Sequence, residues 1–279
     1  GAMARELVYT SARKGMKLGT SGFCTVACTR GMRPTTVRLL EHLSAYRNLY
    51  DSHDPRAADN PVCHSHYLYR LGNRHVSILS RIGPSRADHT NRSNKLAHHL
   101  VIDPRERPAG GPAWLARQEG VLLAEWGDRA REIPEPRDLP QGDVDSTRAE
   151  TWERIAGDAG WAGVLAYTFE KRPRVPAFLI FEPGMDMLAL VSEALALLVP
   201  ERRWSVTFNT YFSFLPAGTS CAWRCCTAGS SGVRAGRESA GGLRPGGPAA
   251  RVSAPAGGHR KKPFCETAVA ASPTPANAA

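Results

Sequence analysis

A chain of 279 residues with 36 Lys and Arg against 26 Asp and Glu, a formal net charge of +10, is long enough to bury a core as one large or two smaller domains. No apolar run approaches the roughly 20 residues of a membrane span. No signal-peptide pattern is present, and Gly1-Ala2 ahead of Met3 reads as the remnant of a cleaved tag, so the expected setting is cytoplasmic, without a membrane. Half of the charge excess lies beyond residue 228 and the rest forms no compact basic stripe, which disfavours nucleic-acid binding.

Residues 7–11 and 23–29 read as a strand pair joined by a Gly-rich stretch. The spacing Gly15-x-x-x-Gly19-x-x-Gly22, with Lys14 and Lys17, has the composition of a phosphate cradle. It lacks the Gly-Lys-Ser/Thr ending of a nucleotide-hydrolysing loop and precedes a strand, so it reads as a hairpin connection. Val37, Leu40, Leu43 and Tyr46 give residues 35–50 a helical spacing. Residues 67–71 and 75–82 flank Gly72-Asn73-Arg74, a hairpin signal.

A Pro-rich connector covers 105–140, interrupted by a short helix or strand within 114–126. Helices are expected over 146–157, with Ser146 as N-cap, and over 159–170. The apolar run 177–181 is of strand length; Leu188, Val191, Leu195 and Leu198 then mark a helix that Pro200 ends. Residues 204–213 alternate as a strand, Trp204, Val206, Phe208 and Phe212 against Ser205, Thr207, Asn209, Tyr211 and Ser213. The polar row predicts an edge strand with a wet face or the lining of a groove. Strand, helix and strand in this order suggest a right-handed βαβ unit.

The expected fold class is α/β (α+β), a hairpin-rich N-terminal half packed with a βαβ-containing C-terminal half. Its divisions are a lobe over 3–104, a connector over 105–145, a lobe over 146–228 and a tail over 229–279. Gly, Ala, Pro, Ser and Arg dominate the tail, which predicts disorder. A frame change, or a linker to a C-terminal partner domain missing from this chain, fits its abrupt onset equally.

Neither a metal nor a cofactor is assigned. Cys63-His64-Ser65-His66 has donor atoms without a second cluster at ligand spacing, and Cys24 and Cys28, about 13 Å apart along a strand, read as buried residues on the face of Val26. The richest constellation is the loop from Arg86 to Asn94. As an enzyme, Asp88 would orient His89 as a general base, Arg92 would hold an anionic substrate, and His98 or His99 would complete a hydrolase or nucleotide-binding site. As a contact surface, Arg86, Asn91, Arg92 and Asn94 would join Asn209 and Tyr211 of the polar row. Asp, Thr, Asn and Ser equally brace a loop by local hydrogen bonds.

Several segments carry a resemblance: Tyr9-Thr-Ser-Ala-Arg13, Gly19-Thr-Ser-Gly-Phe-Cys-Thr-Val-Ala27, Tyr46-Arg47, residues 67–71, Thr90-Asn-Arg-Ser-Asn94 with Ala97-His-His-Leu-Val101, Thr210-Tyr-Phe212 and Cys221-Ala-Trp-Arg224. The chain resembles the N-terminal domain, second type, of a bacterial GTPase-associated protein family found beside GTPase components in multi-gene conflict systems. The resemblance implies an accessory or adaptor protein whose partner is a GTPase or another protein of the same system. It carries no catalytic residue over.

Overall fold

The computed structural model describes residues 2–127, 129–146, 148–228 and 266–268. The N-terminal part supplies β1 (Ala2–Ala12), β2 (Gly22–Thr29), α1 (Pro34–His42), β3 (Cys63–Leu71), β4 (Arg74–Ser85) and β5 (Asn94–Ile102). After α2 (Pro112–Arg117) and the short strands β6 (Arg131–Ile133) and β7 (Arg137–Leu139) come α3 (Glu150–Ala156) and α4 (Gly160–Lys171). The remainder is β8 (Ala177–Phe181), α5 (Met187–Ala196), α6 (Pro200–Arg203), β9 (Phe208–Asn209), β10 (Trp223–Thr227) and β11 (Glu266–Ala268).

One mixed sheet runs in the order β11-β8-β10-β9-β3-β4-β5-β1-β2-β6, and β7 pairs with the first residues of β1. The fold is therefore α+β. On one face Leu79, Leu100 and Ile102 share a core with Leu179, Phe208 and Trp223 and with Trp152, Leu165 and Leu190 of the helices. On the other, Leu40 and Leu43 of the α1 segment cover Leu7, Tyr67, Ile78, Phe178 and Ile180. Both cores draw on residues from before and after the connector.

The elements with the strongest local signals form as expected. Leu71 pairs with Arg74 across the two-residue turn Gly72-Asn73, where Gly72 takes φ +66°, the positive value a II′ hairpin turn needs at its first position. All five residues of β8 are buried. The Gly-rich stretch does join β1 to β2. Three of its amides are spent internally, Gly15 N on Thr20 O at 2.8 Å, Met16 N on Thr25 O at 3.0 Å and Thr20 N on Lys17 O at 3.1 Å, as in a hairpin connection.

Four local expectations are corrected. The α1 helix stops at His42 instead of reaching residue 50, where Ser44 Oγ donates back to Leu40 O at 2.8 Å; Tyr46 leaves the helix to meet the Tyr211 ring edge-on. The α3 helix starts at Glu150 without a side-chain cap from its own sequence. Glu193 of α5 accepts the Thr151 and Trp152 amides at 2.9 and 3.2 Å in place of Ser146. Cys24 and Cys28 face opposite sides, because a bulge opposite Val8 and Tyr9 puts Val26 and Ala27 together on the Cys24 side.

Residues 204–213 are the fourth. Trp204 closes α6 and strand pairing is confined to Phe208 and Asn209, antiparallel to β3 and parallel to β10. This strand lies inside the sheet, so the polar row is not a wet edge: Thr207 and Asn209 are buried. The strands β8 and β9 both run parallel to β10, which sits between them, so the β8–α5–β9 connection passes over a strand. Of the tail, Glu266–Ala268 pairs antiparallel with β8; the disorder expected for the rest falls outside the described residues.

Candidate functional site

The loop singled out by its composition lies where β4 ends and β5 begins. With the end of β1 and residues 125–127 of the connector it walls a groove of about 270 Å3. Asp88 organises the loop. Its Oδ1 accepts from the Thr90 hydroxyl, from Thr90 N at 2.8 Å and from Arg92 N at 3.1 Å, while its Oδ2 accepts from Ser11 Oγ at 2.9 Å. Asn91 N donates to Asp88 O at 2.9 Å, and Asn91 takes φ +59°, a left-handed conformation that asparagine tolerates. The Thr90 hydroxyl, with the Arg92 and Thr90 amides and Ser11, holds the Asp88 carboxyl well below the usual carboxylate range.

With Asp88 so engaged, the cations around it are presented outward. Arg92 meets Asp88 only through its backbone, its amide donating to Asp88 Oδ1 and its carbonyl accepting from Asp88 N at 3.1 Å, and the exposed guanidinium groups of Arg13, Arg86 and Arg92 form no ion pair with the described residues. Glu125, the other carboxylate on the groove wall, accepts from Ser85 Oγ at 2.7 Å. Asn94 is only 9% exposed; its Oδ1 accepts from Lys95 N at 2.9 Å and from Thr10 Oγ1 and Ser11 N, both at 3.3 Å. Its Nδ2 has no acceptor among the described residues. Trp126 lines the same groove with a buried indole Nε1 that finds no acceptor either. The groove thus offers hydrogen-bond donors from several elements, beside Asp88, whose two oxygens are both engaged, and Glu125, which is engaged through Oε2.

The five residues of the enzyme reading do not meet. His98 and His99 are adjacent on β5 and enclosed on opposite faces of the sheet. Leu123 N donates to His98 Nδ1 at 2.9 Å, so His98 Nε2 carries the proton it gives to Glu6 Oε2 at 2.7 Å. His99 lies between Ser44 and Ser80 at 2.8 and 2.6 Å. Asp88, His89 and Arg92 stay in the surface loop, and Asp88 bonds to Ser11 and Thr90 instead of His89.

The expected contact residues divide as well. Arg86 and Asn94 line the groove, and Asn91 and Arg92 stand on its loop. Asn209 and Tyr211 belong elsewhere: Asn209 donates to Tyr67 Oη at 2.9 Å and accepts from Tyr211 N at 2.8 Å, while Tyr211 Oη donates to Arg47 O at 2.9 Å. They brace the β3–β9 seam. Sequence reasoning passed over Trp126, Glu125 and Arg13 as site residues; an indole inside a Pro-rich connector was the signal for the first. Among the described residues, no group of three or more His, Cys, Asp and Glu is placed to hold a metal ion.

Fold and site together define an α+β protein with a donor-rich groove at one end of its sheet, in which no helix of the described residues is long and apolar enough to cross a membrane. The chain belongs to the GTPase-associated protein 1 family: the family model of its N-terminal domain type 2 matches residues 3–139, and that of its middle domain matches residues 149–243. The junction between the two falls after β7 and before α3. No curated protein and no solved structure matches the chain significantly.

Proposed function

We propose that this GTPase-associated protein is an adaptor in a bacterial conflict system, acting in the cytoplasm by docking on a GTPase or another protein of that system. The groove between β1, the Arg86–Asn94 loop and Trp126 is the contact surface, and the partner presents an acidic or acceptor-rich segment to it. One observation carries this reading. Both oxygens of Asp88 are engaged within the protein, whereas the guanidinium groups of Arg13, Arg86 and Arg92 and the Nδ2 of Asn94 have no acceptor among the described residues. Exposed guanidinium groups with no carboxylate partner of their own favour association with an acidic segment through charge and forked hydrogen bonds.

Replacing Arg92 is the direct test. Its exposed side chain makes no hydrogen bond or ion pair with the described residues, so Arg92→Ala is expected to change stability by about 0.5 kcal/mol or less, while the loss of a charged fork at the contact weakens partner capture about tenfold or more. Arg92→Lys restores the charge without the fork and is expected to recover only part of the binding. Quantitative capture of the GTPase from the native host, with and without GTP, is measured beside thermal melting of the same preparations. Capture at the wild-type level by a folded Arg92→Ala protein would remove this loop from the interface.

A further inference from the structure

At the opposite end of the sheet from the groove, on the α1 side, a second pocket of about 190 Å3 lies between the start of β1, the β3–β4 turn and the first turn of α1. The N-terminus of α1 is open. Arg33 occupies the cap position without a side-chain hydrogen bond, and the first turn holds no acidic residue. The first helical bond runs from Val37 N to Arg33 O at 3.0 Å, Pro34 has no N–H, and the Thr35 and Thr36 amides have no acceptor among the described residues. Such an end attracts anions through its free amides and the positive pole of the helix.

A second observation points to a ligand independently. Thr36 is only 6% exposed, lines this pocket, and its hydroxyl has no hydrogen-bond partner among the described residues. Arg5 and Arg33 line the same pocket without an ion pair, the Arg33 guanidinium resting beside Gly72 of the hairpin turn. The acidic groups on the wall are engaged: Asp103 pairs with Arg74 at 3.2 Å, and Glu106 accepts from Met3 N at 2.9 Å.

We propose that this pocket binds the phosphate group of a compact phosphorylated small molecule. The Thr36 amide and hydroxyl with two guanidinium forks suit the terminal oxygens of a phosphate monoester better than the two of a carboxylate. The apolar floor of Met32, Leu71 and Val76 takes a short organic remainder. A volume of about 190 Å3 lies below the roughly 300–1,000 Å3 of pockets for drug-sized ligands, which favours a compact ligand over a nucleoside triphosphate. This site is independent of the docking groove.

Calorimetric titration of the full chain with inorganic phosphate, glycerol 3-phosphate, glycerol and GTP, at constant ionic strength set by chloride, tests the proposal. Glycerol 3-phosphate is expected to bind more tightly than phosphate, and glycerol and GTP not at all. Arg33→Gln, an exposed position, is expected to weaken glycerol 3-phosphate binding about tenfold or more. Thr36→Val is expected to weaken it severalfold while leaving the melting temperature of the unliganded protein unchanged or higher, because the hydroxyl it removes has no protein partner. Equal affinity for phosphate and glycerol 3-phosphate would overturn the organic part of the proposal. Binding that Arg33→Gln and Arg5→Gln leave untouched, displacement by GTP, or no binding at millimolar phosphate would overturn the site.

Discussion

Arg203→Met is expected to destabilise the protein by about 3–5 kcal/mol, the largest loss of any single substitution considered for this chain. Arg203 ends α6 and is only 4% exposed. Its guanidinium donates to Leu198 O and Ala109 O at 3.0 Å, Val144 O at 3.1 Å and Ala196 O at 3.3 Å, and it pairs with Asp143. One planar fork therefore ties the connector to the end of the helical layer. Next to it, Trp204 Nε1 donates to Pro108 O, fastening the connector a second time. Methionine fills much of the volume but takes the Arg203 donors from the buried contacts to Leu198 O and Ala196 O and from the part-buried ones to Ala109 O and Val144 O. Lysine is expected to recover only a part, since a single ammonium cannot reach acceptors that the fork serves from several directions. Urea unfolding with an unchanged slope would measure the loss; a cost below about 1 kcal/mol would mean that water reaches these carbonyls and that the connector is held by other contacts.

The sequence could announce the hairpin between β3 and β4, the buried β8 and the helix after it, because each has a signal contained in its own residues: a glycine able to take positive φ, an unbroken apolar run, a 3.6-residue stripe. The errors fall where a distant residue decides. Glu193 caps α3 from more than forty positions away, which no local reading of Ser146 could foresee. An inserted residue at Val26 reverses the face of Cys28, and alternation cannot reveal a bulge. The row from 205 to 213 is polar because Thr207 and Asn209 serve the interior, Thr207 Oγ1 accepting from Ala222 N and Asn209 reaching Tyr67. The candidate site was legible to the same extent. Its loop stood out by composition, whereas Trp126 and Glu125 arrive from the connector, and Arg203 looked like one arginine among many on a basic chain.

Acidification from about pH 7.5 to about pH 5 is expected to remove stability, about 4 kcal/mol of it through His66 and His99. Both rings are fully buried. His66 Nδ1 donates to Val206 O at 2.7 Å, a carbonyl that only accepts, so Nε2 accepts from Ser77 Oγ at 2.8 Å. Ser44 spends its proton on Leu40 O, so His99 Nε2 donates to Ser44 and Nδ1 accepts from Ser80 Oγ. Each neutral ring is therefore satisfied as one donor and one acceptor. Burial pushes both down to about 3, and the charge of Arg107 acts in the same direction on His66. The direction of the pH effect follows from proton uptake. An unfolded imidazole protonates below about 6.5, the folded ones only near 3, so through this window the unfolded state binds more protons and stability falls as pH falls. At about pH 5 the difference is about 2 kcal/mol for each ring. His64, lowered to about 3 by burial, adds a contribution of the same sign. Carboxylates titrate mostly lower, so the interval above about pH 5 isolates the histidines. Urea unfolding of the wild type and of His99→Gln across this range is the measurement. The variant is expected to be less stable at about pH 7.5 but to lose about 2 kcal/mol less on acidification; two parallel curves would show that His99 is not held neutral, and with it that the sheet interior admits a charge.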